Sequence, residues 1–151
     1  MLWFTTKGNS MLKIYAALWA GFILLSGCSK NPTAPPAIPE GVAILDINNY
    51  SSMTSVSGRI ALIDFYSPDI IASQKMDNSV VKIAERYTGK VLVGKVNFSE
   101  DKDLRYQFDI NYVPTFLFLN GGKEARRLEK PAGDDSLAII IDSLLATKAA
   151  Q

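Results

Sequence analysis

Few side chains in this sequence could do chemistry, and their scarcity is informative. One cysteine, Cys28, and no histidine occur among 151 residues. A single thiol makes no intramolecular disulfide and no cysteine cluster for zinc or iron–sulfur. Without histidine, the commonest metal ligand and the commonest general base near neutral pH are both missing. Ser/His triads and His-ligated metal sites are excluded, and the residues point to no metal and no cofactor. What remains is a carboxylate, Asp64, inside the apolar run 60–66, a lysine, Lys95, inside a second apolar run, and a hydroxyl, Ser73, behind Ile70, Ile71 and Ala72. A carboxylate in an apolar strand is costly unless it is paired or protonated. A serine is a weak nucleophile with no base beside it, so Ser73 reads better as a helix-start hydroxyl that satisfies backbone N–H groups.

These groups are positioned by elements that the hydrophobic period identifies. Residues 42–46 form a short, weakly strand-like run, and 48–57 could hold a ragged helix. Residues 60–66 are apolar except for Asp64, the pattern of a central strand buried on both faces. Over 70–87, Met76, Val80, Ile83, Ala84 and Tyr87 recur at helical spacing and Gly89 supplies a stop, which predicts one long amphipathic helix. Residues 91–98 are β-rich, 100–108 make a short helix with Leu104 and Phe108 inward, and 115–119 are a third strong strand. Asn120-Gly121-Gly122 then reverses the chain tightly into a charged strand over 123–129 that suits an exposed edge. The last helix opens on Asp134 and Asp135 and buries Leu137, Ile140, Ile141, Leu144 and Leu145. The order βαβαβαββα predicts an α/β fold: a mixed sheet flanked by helices on both faces, with parallel crossover units and an antiparallel edge.

The N-terminal segment reads as an address. Lys13 is followed by apolar residues 14–25 and then by Ser26, Gly27 and Cys28, a positive start, a greasy core and a small-residue cut site. An apolar helix of about 12 residues spans about 18 Å against about 30 Å for a bilayer core, which favours a leader over a permanent span. Leu25-Ser26-Gly27-Cys28 resembles the bacterial lipobox, whose cysteine takes a diacylglyceryl group and becomes the mature N-terminus. That resemblance implies an acyl anchor at Cys28, a membrane partner and an exported domain, in the periplasm or outside the cell. Ser29 in place of aspartate favours the outer membrane by enterobacterial sorting rules. Met11 gives a more compact leader than Met1. The expected organisation is a signal peptide over 1–27, a lipidated Cys28 with a proline-rich tether over 28–40, and one domain over 41–148. The tether, with Pro32, Pro35, Pro36 and Pro39, reaches about 37 Å if extended. Cleavage would remove Lys7 and Lys13 and leave 14 basic against 15 acidic residues. That balance lacks the basic footprint that nucleic acid requires.

Over the whole mature domain the residues resemble the thioredoxin family. Leu62-Ile63-Asp64-Phe65-Tyr66-Ser67 is similar to its strand V-D-F-W-A, and Gly94-Lys95-Val96-Asn97 to its next strand, lysine included. Tyr112-Val113-Pro114-Thr115 is similar to its G-I-P-T loop, and residues 116–122 to its hairpin entry L-L-L-F-K-N-G. The resemblance implies a thioredoxin-like fold, a cis bond at Val113–Pro114, and a buried acid with a neighbouring lysine, here Asp64 and Lys95. It breaks where the family carries C-G-P-C. Those positions hold Ile70, Ile71, Ala72 and Ser73, or Ile71, Ala72, Ser73 and Gln74 if the frame slides to match Lys75-Met76 with the family's K-M. Neither frame contains a thiol, and dithiol exchange needs a thiolate and a resolving thiol. No catalytic residue is expected, and Asp64 with Lys95 is expected as a vestigial buried pair that fills space.

Two uses follow for the degenerate site. Ile70, Ile71, Val113, Pro114 and Thr115 could line an apolar surface that takes an extended peptide or envelope protein as an added strand. Alternatively Pro114 only shapes a turn and the isoleucines pack inward, leaving an inert envelope spacer. The expected function is a non-catalytic, redox-inactive binding module. The alternative, a thiol-disulfide oxidoreductase in redox homeostasis, rests on family membership only.

Overall fold

A computed structural model describes residues 40–150. The leader, Cys28 and the tether up to residue 39 lie outside the described residues. The sheet has five strands in the order β1-β3-β2-β4-β5: β1 Val42–Ile44, β2 Ile60–Tyr66, β3 Val91–Asn97, β4 Thr115–Asn120 and β5 Lys123–Leu128. The first three run parallel, β4 is antiparallel to β2, and β5 is antiparallel to β4. The mixed α/β architecture is as expected, but the antiparallel part is larger than a terminal edge. The chain reverses after β3, so β4 enters the sheet interior against β2.

Alternation along β2 explains the two layers. Ile60 and Leu62 pack with Val80, Ile83 and Ala84 of α3 (Asp77–Arg86) and with Leu137, Ala138 and Ile141 of α5 (Asp134–Ala149). Ala61, Ile63 and Phe65 pack on the other face with Tyr50 of α1 (Tyr50–Thr54) and Leu104 of α4 (Lys102–Gln107). Asp64 has the parity of Ile60 and Leu62 and so points to the α3 face. Fully burying such aliphatic side chains contributes about 1.5–3 kcal/mol each, which makes the β2 pairings the strongest constraint on register. On α5, Ala138 joins the fully buried stripe, while Ile140, Leu144 and Leu145 are only partly covered.

The single helix expected over 70–87 is two. α2 (Ile71–Gln74) ends at a turn, and α3 begins at Asp77. Here the Met76 N–H bonds the Ser73 carbonyl at 2.9 Å, three residues back, and tightens the helix locally. The turn also places the Met76 sulfur 3.2 Å from the Ala132 N–H, which donates to it.

Two glycines are structural. A Cβ at Gly94 would lie 2.5 Å from Leu45 Cδ1, so β3 can pass this core leucine only without a side chain. Gly122 has φ +80°, and a Cβ there would lie 2.6 Å from Ser55 Oγ. The left-handed backbone and the close approach at Gly122 both serve the tight β4–β5 reversal.

Candidate functional site

The residues singled out by sequence meet at the end of the sheet where the parallel strands finish, the usual place for sites on such sheets. Phe65 is opposite Thr115, so the chain leaving β2 and the chain entering β4 emerge side by side. After β2 the loop is held by its own polar groups. The Ile70 N–H donates to the Ser67 carbonyl at 3.3 Å, and Gln74 Nε2 donates to the Pro68 carbonyl at 2.6 Å. Ile70 is the extended N-cap of α2, so the frame Ile70 to Ser73 begins at the helix cap. Ile70 is 42% exposed and Ile71 67% exposed; they do not pack inward. Ala72 is half-buried. Ser73 is fully buried, and its Oγ accepts from the Ser67 N–H at 3.3 Å. It does satisfy a backbone donor, but one in the preceding loop rather than in its own helix.

The facing loop is tied to the sheet by Arg127 of β5, whose Nη2 donates to the Phe108 carbonyl at 2.7 Å. The Val113–Pro114 peptide is cis. Val113 is half-buried, and among the described residues no hydrogen bond engages its amide or carbonyl. Pro114 and Thr115 are buried, and the Thr115 hydroxyl donates to the Tyr112 carbonyl at 2.8 Å. Their side chains therefore present no surface, contrary to their inclusion in the expected contact set. Tyr112, which sequence reasoning passed over, is 70% exposed on the same loop. Its place immediately before Val113-Pro114 was the available signal.

Asp64 and Lys95 are register partners on β2 and β3, but they are not a bonded pair. Lys95 Nζ instead forms an ion pair with Asp77, and it lies 3.9 Å from the centroid of the Tyr66 ring. The first turn of α3 supplies this competing carboxylate, which was not foreseen because nothing in the sequence shows that α3 crosses over β3. Both Asp64 carboxylate oxygens are buried with no hydrogen-bond partner among the described residues. Burial pushes its pKa from 3.8 up to about 7, opposed by the charge of Lys95 and reinforced by that of Asp77. The carboxyl can therefore hold or release a proton near neutrality. No thiol or imidazole stands among the described residues to exchange it with. Nor, among the described residues, does any group of three Asp or Glu side chains converge to hold a metal ion.

A mixed five-stranded sheet with helices on both faces and a cis-proline loop beside a helix start defines a thioredoxin-like α/β protein. The family model described as Thioredoxin matches residues 41–143, and the chain belongs to the thioredoxin family. Thioredoxin-T of Drosophila melanogaster is 33% identical over 91 residues, covering 50% of this chain and 55% of that protein. The chain thus spans about half of that relative's length. The chloroplastic Thioredoxin M5 of Oryza sativa subsp. japonica is 24% identical over 131 residues, 82% of this chain and 76% of that one. Among solved structures, a mutant thioredoxin from Halobacterium salinarum superposes with a TM-score of 0.65 at 22% identity, over 72% of this chain and 95% of the other.

Proposed function

We propose that this thioredoxin-family chain is a non-catalytic binding module of the bacterial cell envelope, anchored to a membrane through acylated Cys28, and that it holds an extended peptide or protein segment. One observation carries the reading. Two exposed isoleucines stand at the start of α2, on the chain leaving β2 after Phe65, and Val113, whose backbone has no hydrogen-bond partner among the described residues, lies two residues before Thr115, the register partner of Phe65. A segment laid along Val113 would gain main-chain hydrogen bonds and place side chains against Ile70, Ile71 and Tyr112. Isoleucine has neither lone pair nor ionisable proton, so the same positions support contact and no electron exchange. Asp64 then has no thiol to serve and remains as a buried acid.

A photoreactive residue placed at position 70 or 113 of the full chain in intact cells tests the contact. The expected product is an adduct with one envelope protein, mapped to a continuous stretch of it and lost on Ile71→Asp. No adduct from either position would leave an inert spacer as the better reading. The non-catalytic part is tested on the purified chain with insulin and dithiothreitol. Disulfide reduction above background would establish an oxidoreductase instead.

A further inference from the structure

The end of the sheet opposite the candidate site gathers positive charge. Arg59 and Lys90 immediately precede β2 and β3, and Lys123 opens β5 opposite Asn120, so all three stand where β2 and β3 begin. The Lys148 side chain reaches the same end, since a Cβ at Gly58 would lie 3.3 Å from its Cε. Two adjoining hollows share Ser57, Gly58 and Lys148; one also takes in Arg59 and Lys90, and the other Lys123. Among the described residues, no acidic side chain lines either hollow. The Arg59 guanidinium donates to the Met53 carbonyl at 2.7 Å. Lys90, Lys123 and Lys148 enter no ion pair among the described residues.

The cluster runs against the charge of the domain. Residues 40–150 hold 13 basic and 15 acidic side chains, yet the two hollows at this end are lined by Arg59, Lys90, Lys123 and Lys148 and, among the described residues, by no acid. Lys148 lies in the last turn of α5, where a cation offsets the helix dipole. The other three lie outside any helix, so helix ends do not account for them. The chain also enters here: β1 is parallel to β3 and starts at this end, and Cys28 precedes Glu40 by 12 residues.

We propose that this basic end rests on an anionic phospholipid surface, with Arg59, Lys90, Lys123 and Lys148 facing the headgroup phosphates. The proposal rests on the reading of Cys28 as an acyl anchor, because the described chain begins at this end, at Glu40, twelve residues after Cys28. Lysines suit a fluid headgroup layer as point charges. Each basic residue near an anionic leaflet raises occupancy about fivefold. The exposed isoleucines and Tyr112, at the opposite end of the strands, then face away from the bilayer.

The test reconstitutes the full lipidated chain into vesicles of phosphatidylcholine, alone or mixed with phosphatidylglycerol, and labels lysines with a membrane-impermeant amine reagent. The expected result is a fall of about fivefold or more in labelling of Lys90, Lys123 and Lys148 in the anionic vesicles, reversed by high salt, with Lys75 and Lys102 at the other end unchanged. Equal labelling in both vesicles overturns the proposal. So does equal protection by inorganic phosphate without vesicles, or protection in neutral vesicles that grows with protein density, which would indicate a small-anion site or a second copy. The anchor is checked separately, from the mass of the peptide carrying Cys28. If that residue is unmodified, the unacylated full chain is sedimented with the same vesicles. Salt-sensitive binding to the anionic ones, lost in Lys90→Gln/Lys123→Gln/Lys148→Gln, still supports the basic end, and its absence overturns it.

Discussion

The same strands make both ends of the sheet, yet the two ends differ in kind. At one, β2 runs out into a loop and a helix start that present isoleucines to solvent above a buried, unpartnered Asp64. At the other, turns held by main-chain bonds, such as the Gly121 N–H to the Arg59 carbonyl at 2.8 Å, carry cations, with Val56 and Leu145 only half-buried among them. The strands between them are buried almost throughout and tolerate little change. A sheet whose core secures the register leaves its two ends free to diverge in the groups they carry.

Four variants break or sharpen this contrast. The largest effect is expected from Ile70→Cys/Ser73→Cys at the helix-start end. If only the thiols are missing there, insulin reduction should rise from background to a rate on the order of a hundredfold above it. A pair of cysteines that stays inactive would mean that the scaffold has changed as well.

Asp64→Asn comes next. With the pKa of Asp64 raised from 3.8 to about 7, the folded chain keeps a proton that the unfolded chain has already released. Stability is therefore full below about pH 4, falls as pH rises toward 7, and stays at the lower level above it. That difference is worth about 4 kcal/mol at most. Asp64→Asn should abolish the slope and raise stability at pH 8 by about 2 kcal/mol, because the unpaired amide still has a cost of its own. Urea unfolding between pH 4 and 8 reads this directly, and a loss of stability at pH 8 would show that the carboxylate has a partner.

At the basic end, Gly122→Ala should cost about 1–2 kcal/mol, since φ is +80° and Ser55 blocks the space. Thermal unfolding measures it, and a neutral result would show a turn looser than described. The smallest effect is expected from Ile71→Ala, within about 0.5 kcal/mol of the parent in the same assay, because the side chain is mostly in water. A larger loss would place Ile71 in the core and remove it from the proposed contact surface.

The strands and the two-layered core were legible because their residues are apolar in unbroken or alternating runs. β2, buried along nearly its whole length, was read with its bounds intact. The break at Lys75-Met76 was not legible, since it contains neither proline nor glycine and comes from one main-chain bond that skips a residue. The antiparallel entry of β4 was hidden for a related reason. A helix between two strands is compatible with either direction, and the choice depends on which strand β4 pairs with.

Within the candidate site, the exposure of Ile70 and Ile71 is not legible in the sequence, because two isoleucines at a helix start satisfy a core and a surface equally well. The partner of Lys95 is not legible in the sequence either, because Asp64 is adjacent in the sheet whereas Asp77 arrives from a helix packed over it.

Sequence alone determined the inventory: one cysteine, Cys28, no histidine, and no thiol among residues 70–74. Composition settles which reactive groups exist, because no folding can add one. Only the tertiary structure decided that the Asp64 carboxylate has no hydrogen-bond partner among the described residues and that four cations from separate segments share one end of the sheet. Those outcomes depend on strand pairing and helix packing between residues far apart in the chain, and no local pattern records them.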